Sequence, residues 1–194
     1  MRNAEATRER ILDAAMDEFS AYGIAGARVD RIAKSAGCNK NLIYVYFESK
    51  ETLFTTVLQK NLERAFEEIP FSPDRLPEFA VNVFDFAVAH PDVMRLLMWA
   101  NLEQKTDNPA ERENAHTEKI RQIGQAQSAG RLSSTLPPAF LLTAVMTVST
   151  AWASTNPFGP SLNPEAAKDL NALRASVAGA VKLLIQADHP AEEK

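Results

Sequence analysis

Residues 29–47 read VDRIAKSAGCNKNLIYVYF, and the fold is decided there. Val29, Ile32, Ala33 and Ala36 recur at helical spacing and give one apolar side to a two-turn segment. Gly37 stops that segment. Asn39 can cap a second short helix running to about Phe47, because its side-chain oxygen accepts the orphan N–H groups of a first turn. Helices of two turns are marginal alone and need a longer helix to pack on. The preceding stretch supplies it: Ile11, Leu12, Ala15, Met16 and Phe19 share one helical face, and Gly23 stands where a C′ glycine ends a helix. A helix-turn-helix uses this arrangement to place its second helix in the DNA major groove, with that helix's N-terminal residues at base edges.

The residue types suit that task. Lys40 and Asn41 lead the second helix. Asn pairs with an adenine edge in bidentate fashion, and Lys reaches guanine or phosphate. Tyr44 and Tyr46 offer hydroxyls to phosphates and flat faces to sugars and thymine methyls. Ser49 can cap the next helix, and Lys50 begins it, where free N–H groups and positive charge both favour a phosphate. Residues 1–50 hold eight Lys/Arg against seven Asp/Glu, whereas residues 51–194 hold thirteen against eighteen, so the end expected to bind DNA is the less acidic one.

Around these residues the chain resembles the TetR family of bacterial transcriptional regulators. Its pattern is a long first helix ending in F-x-x-x-G, then I-A-x-x-A-G-V-[ST]-x-x-x-[LI]-Y-x-[YH]-F-x-[SN]-K-E-x-L. Phe19 and Gly23 match, followed by Ile32-Ala33, Ala36-Gly37, Ile43-Tyr44, Tyr46-Phe47, Ser49-Lys50-Glu51 and Leu53. The resemblance implies a homodimeric, all-helical repressor that binds palindromic DNA and leaves it when a small ligand enters the C-terminal domain. Carried over residue by residue, Lys40, Asn41, Tyr44, Tyr46 and Lys50 fall where the family contacts DNA, and Arg28 and Asn39 complete the expected set. Three positions depart from the pattern. Arg28 replaces a capping Thr or Ser and can instead hold a phosphate. Cys38 replaces Val as a small hydrophobe in the turn. Asn39 replaces Ser or Thr and still caps.

Beyond the head, every strong periodicity is again helical. One apolar face carries Leu53, Phe54, Val57, Leu58, Leu62 and Phe66. Pro70, Pro73 and Pro77 punctuate a linker. Helices are expected over Phe79–Ala89, Val93–Gln104, about Pro109–Ser128, Leu136–Ser154, and from an Asn163 cap with Pro164 at N1 to about Ala187. The expected architecture is all-α with about nine helices. Residues 1–49 form the helix-turn-helix domain, 50–70 a connecting helix and linker, and 71–194 a larger effector-binding and dimerisation domain.

Composition excludes several classes. With 45% hydrophobic and 24% charged residues the chain is an ordinary globular one, and a net charge of −4 is not that of a histone-like DNA coater. The single Cys38 can form neither an intramolecular disulfide nor a Cys-rich zinc site, which fits a reducing cytoplasm. The N-terminus has no apolar signal-peptide core. Residues 132–164 lack charge, but Thr143, Thr147, Ser149, Thr150 and Ser154 interrupt the helical part, which reads as buried rather than membrane-spanning. His90, His116 and His189 are scattered without partners at ligand spacing, so no metal and no cofactor is assigned. No GxSxG, P-loop, GxGxxG or HExxH occurs.

Two further sites are expected. Phe86, Met94, Met98, Trp99, Glu103, Met146 and Trp152 combine large adaptable apolar groups with a few polar ones, as small-molecule sites do. Trp99 and Glu103 stand at i, i+4. In the last helix, Leu170, Leu173, Val177, Val181 and Leu184 form a near-heptad stripe for a four-helix interface with a second subunit. The expected function is a cytoplasmic, dimeric, ligand-responsive regulator, a repressor on palindromic operator DNA. Two other readings stay open: an activator or architectural DNA binder without a small ligand, and a helical enzyme with a vestigial DNA head.

Overall fold

The structure, a computed structural model, describes residues 2–103 and 110–186. Among these residues every regular element is a helix: α1 (Arg2–Gly26), α2 (Val29–Ala36), α3 (Lys40–Phe47), α4 (Lys50–Glu68), α5 (Leu76–Ala89), α6 (Pro91–Glu103), α7 (Ala110–Ser128), α8 (Pro138–Ser149), the one-turn α9 (Gly159–Leu162) and α10 (Leu170–Ile185). Single 3₁₀ turns at Pro73–Arg75 and Ala166–Lys168 precede α5 and α10. Gln104, Pro109 and His189, which entered the sequence reading, lie outside the described residues.

The chain divides into two compact units, Met1–Phe66 with His90–Pro109 and Glu67–Ala89 with Ala110–Lys194. This departs from the expected division at 49/50 and 70/71. Helix α6 belongs with the N-terminal helices because its last turn bonds to α1, as described below.

In the first unit, Ile11, Ala15, Phe19 and Ile24 of α1 are buried along with Ile32 of α2, Ile43 and Phe47 of α3, and Leu53, Phe54, Val57 and Leu58 of α4. Phe19 and Phe54 meet edge to face, with centroids 5.1 Å apart. Full burial of side chains of this size contributes roughly 1.5–3 kcal/mol each, which holds α2 and α3 in helices too short to persist alone. Capping follows local chemistry. Asn39 Oδ1 accepts from the Asn41 N–H at 2.9 Å, and Ser49 Oγ accepts from the Thr52 N–H at 3.0 Å. Gly37 closes α2 in the left-handed region, with φ 64°.

The second unit has one core. Leu76, Phe79, Ala80, Val83 and Phe84 of α5 pack with Ile123 and Ala126 of α7, Leu141, Leu142 and Val145 of α8, and Leu173, Val177 and Val181 of α10. Arg174 of α10 donates to Asp85 of α5 at 2.7 Å. Gln127 donates to the Ser133 and Leu136 carbonyls, both at 2.8 Å, and so fastens the turn between α7 and α8.

Three expectations are corrected here. The uncharged helix ends at Ser149, not Ser154, because the loop after it folds back: a Cβ on Gly159 would lie 2.0 Å from the Ala151 carbonyl oxygen. The last helix starts at Leu170 rather than after Asn163. Asn163 does accept from the Ala166 N–H, but only a 3₁₀ turn follows, and Asp169 caps α10 through the Ala172 N–H at 3.0 Å. The stripe Leu170, Leu173, Val177, Val181 and Leu184 faces its own unit. Leu173, Val177 and Val181 are core residues, and Leu170 and Leu184 pack against them. The three core side chains have nothing left to offer a second subunit, while Leu170 and Leu184 are half-buried. The outward face of α10 is instead Ala172, Ala175, Ser176 and Leu183, with Gly179 between them, where a Cβ would meet nothing within 4 Å. No described helix is long and apolar enough to cross a membrane.

Candidate nucleic-acid interface

Helix α3 turns Ile43 and Phe47 into the core and leaves Lys40, Asn41, Tyr44 and Val45 exposed. These four stand at i, i+1, i+4 and i+5 and therefore share one face. Tyr44 is 43% exposed and Val45 75%. Asn39 is also exposed, and its oxygen is spent on the cap. The face thus presents an ammonium, a carboxamide, a phenol and an isopropyl group on a helix whose N-terminal turn leads. Those are the donors, acceptors and apolar contacts that read base edges in a major groove.

The other three expected contacts are engaged within the chain. Tyr46, half-buried, donates its hydroxyl to the Ala4 carbonyl at 3.2 Å and pins the start of α1 to α3. The Lys50 ammonium donates to the Ala27 carbonyl at 3.2 Å and ties the start of α4 to the turn between α1 and α2. Arg28, which makes no side-chain cap of α2, forms a two-point pair with Asp30, Nε and Nη2 to the two oxygens at 3.3 and 2.9 Å. That hydrogen bond holds the Asp30 carboxyl below its ordinary pKa, with burial opposing and the Arg28 charge assisting. Each of these cations already holds an internal acceptor and keeps further N–H donors.

Sequence reasoning missed three residues of the head. Val45 was not singled out, although its spacing from Lys40, Asn41 and Tyr44 places it on their face. Glu18 of α1, 9% exposed, does what Arg28 cannot: its carboxylate accepts from the Arg28 N–H at 2.8 Å at the entry to α2. Arg31 of α2 donates to the same carboxylate at 2.8 and 3.0 Å, donates to the Gly26 carbonyl at 3.0 Å, and lies over the Tyr22 ring at 4.4 Å. No local motif announces a Glu ten residues before the helix it caps.

The expected effector residues do not all fall in one compact unit. Met94, Met98, Trp99 and Glu103 of α6 belong to the first, and Phe86, Met146 and Trp152 to the second. Trp99 and Glu103 both bond to α1: the indole N–H donates to the Ser20 carbonyl at 3.3 Å, and the carboxylate accepts from the Ala25 N–H at 2.9 Å. Met146 and Trp152 pack against the second unit's core, and the buried Trp152 indole N–H has no hydrogen-bond partner. Among the described residues no group of three or more His, Cys, Asp or Glu is placed to hold a metal ion.

Comparison with known proteins agrees with this geometry. The family model for bacterial regulatory proteins of the tetR family matches residues 11–57, and the model for the tetracyclin repressor-like C-terminal domain matches residues 75–182. The HTH-type transcriptional repressor SCO4008 of Streptomyces coelicolor is 38% identical over 144 residues, covering 73% of this chain and 75% of that protein. The HTH-type transcriptional repressor NicS of Pseudomonas putida is 34% identical over 111 residues, or 53% of this chain and 52% of that one. The crystal structure of SCO4942 from Streptomyces coelicolor superposes with a TM-score of 0.81 at 36% identity, covering 92% of this chain and 98% of that one. A helix-turn-helix with an exposed Lys40–Val45 face, followed by a matching C-terminal helical domain, places this chain in the TetR family of transcriptional regulators.

Proposed function

We propose that the protein is a repressor that binds a palindromic operator as a homodimer and leaves it when a small molecule binds the C-terminal helices. The observation that carries this reading is the outward face of α3, where Lys40, Asn41, Tyr44 and Val45 stand together, all exposed. In this reading Asn41 takes an adenine edge, Lys40 a guanine or phosphate, Tyr44 a phosphate or sugar, and Val45 a thymine methyl. Arg28 and Lys50 add phosphate contacts through their further N–H donors. A helical enzyme with a vestigial head would have no reason to keep such a face, and no reaction is assigned to the protein. As a chromosome-binding regulator it acts in the cytoplasm.

Dimerisation is assigned to the outward faces of α8 and α10. Ala172, Ala175, Ser176 and Gly179 let another helix approach closely, Leu183 follows on the same face, 73% exposed, and Phe140 of α8 is 60% exposed. Two copies so joined would present two α3 helices to half-sites ~34 Å apart. The effector is assigned to the second unit, where Met146 and Trp152 pack against the apolar core and Phe86 is half-buried on α5. The free Trp152 indole N–H favours a largely apolar molecule that carries one acceptor oxygen. The test is selection of bound duplexes from a random pool, with and without a small-molecule cell extract. An enriched inverted repeat, lost when extract is present, supports the reading. An enriched sequence unaffected by any extract favours a regulator without a small ligand, and no enrichment removes DNA recognition.

A further inference from the structure

Helix α1 is broken at Gly23, where φ is 67° and ψ is −176°. A break of this kind takes helical partners from neighbouring backbone groups, which must then find others. Here α6 provides them on both sides. Trp99 donates to the Ser20 carbonyl before the break, and Glu103 accepts from the Ala25 N–H after it. The fit is close. A Cβ on Gly23 would lie 2.2 Å from Glu103 Oε1 and 2.9 Å from two carbons of the Trp99 ring. Glycine is therefore required twice at this position, by its backbone conformation and by the two side chains seated on it.

The short segment after the break is gripped from its other end by the helix-turn-helix. Arg31 of α2 donates to the Gly26 carbonyl and covers the Tyr22 ring, Glu18 fastens the Arg28 N–H, and Lys50 of α4 donates to the Ala27 carbonyl. Residues 22–28 thus lie between α6 and α2. Helix α6 in turn follows α5 of the second unit after a single residue, His90. Trp99 and Glu103 stand roughly 12 and 18 Å along α6 from Pro91.

We propose that Trp99 and Glu103 are positioning residues for DNA binding: they clasp the Gly23 break and set the pose of α2 and α3. The sequence pairs them at i, i+4 as if for a ligand, but their polar atoms are committed to α1. The inference rests on the reading that α3 binds DNA.

The experiment uses the full chain and the duplex that the wild type selects from a random pool. It measures affinity, and by mass spectrometry the amide exchange of residues 24–47. Glu103→Ala is expected to lower affinity about tenfold, as leaving the Ala25 N–H without its acceptor would, and to speed exchange at Ala25 and through α2. Glu103→Gln keeps an acceptor for the Ala25 N–H and is expected to stay within about threefold of wild type. Trp99→Phe keeps the ring, loses only the N–H, and is expected to cost about threefold. It carries the test should Glu103→Ala not fold. Wild-type affinity and exchange in both Glu103→Ala and Trp99→Phe would overturn the proposal. So would Glu103→Gln being as damaging as Glu103→Ala, since the clasp needs an acceptor and not a charge. If the wild type selects no duplex, the DNA-binding reading fails, and the exchange measurement still decides whether the clasp holds the head.

Discussion

Replacing Glu18 by Ala tests how the head is held together. Its carboxylate is nearly buried and serves two groups of the α2 entry, the Arg28 N–H at 2.8 Å and the Arg31 guanidinium at 2.8 and 3.0 Å. A hydrogen bond to a charged acceptor contributes about 1.5–3 kcal/mol, and loss of a capping acceptor costs about 1 kcal/mol. The Arg31 side chain is 41% exposed, so water recovers much of its share. A net loss of about 2 kcal/mol is expected for Glu18→Ala. For a chain of this size that lowers the melting temperature by roughly 4–8 °C. Glu18→Gln retains an acceptor for the Arg28 N–H and should lose about half as much. The measurements are thermal unfolding by circular dichroism and amide exchange of α2, which should accelerate before that of α5 and α8. A change under about 0.5 kcal/mol, the range of an ordinary surface substitution, would refute the reasoning.

Further outcomes follow from single features. Asp30→Asn frees Arg28 for a phosphate and should tighten DNA binding severalfold while steepening the salt dependence by about one ion per head. Because the Arg28 bond holds Asp30 below the usual carboxylate range, the pair's contribution is present above that range and is lost only as pH falls through the lowered value; neutral pH alone does not release Arg28. Gly179→Glu, on the outward face of α10, should leave a folded monomer in sedimentation. Val177→Glu should instead unfold the second unit, because it buries an unpaired charge in its core. Replacing the thymine opposite Val45 by uracil removes one methyl contact and should weaken wild-type binding by about 0.8 kcal/mol, roughly fourfold, with no effect on Val45→Ala.

What was legible in the sequence was local. The Asn39 and Ser49 caps and the Gly37 stop each depend on residues within a few positions, and the structure has all three, while Gly23, expected to end α1, kinks it and the helix resumes to Gly26. What stayed hidden was the identity of distant partners. Nothing near Tyr46 points to the Ala4 carbonyl, nothing near Lys50 to Ala27, and nothing near Glu103 to an N–H 78 positions earlier. Periodicity also says which residues share a face without saying what lies opposite. The 170–184 stripe is a true helical face, and three of its five residues, Leu173, Val177 and Val181, are spent on the core of their own unit. Asn163 and Asp169 are both capping residues before apolar runs, and only the stall of the chain after one 3₁₀ turn decides for Asp169.

The central claim is that the exposed face of α3 reads DNA bases. It is tested most directly by repeating the selection from a random duplex pool with Asn41→Ala and comparing the enriched sequence with that of the wild type, position by position. The account predicts an inverted repeat for the wild type, with half-sites about one helical turn apart. For the variant it predicts loss of preference at one base pair in each half-site, a discrimination of about 1–3 kcal/mol, with the other positions unchanged. Identical enriched sequences from the two proteins would contradict it.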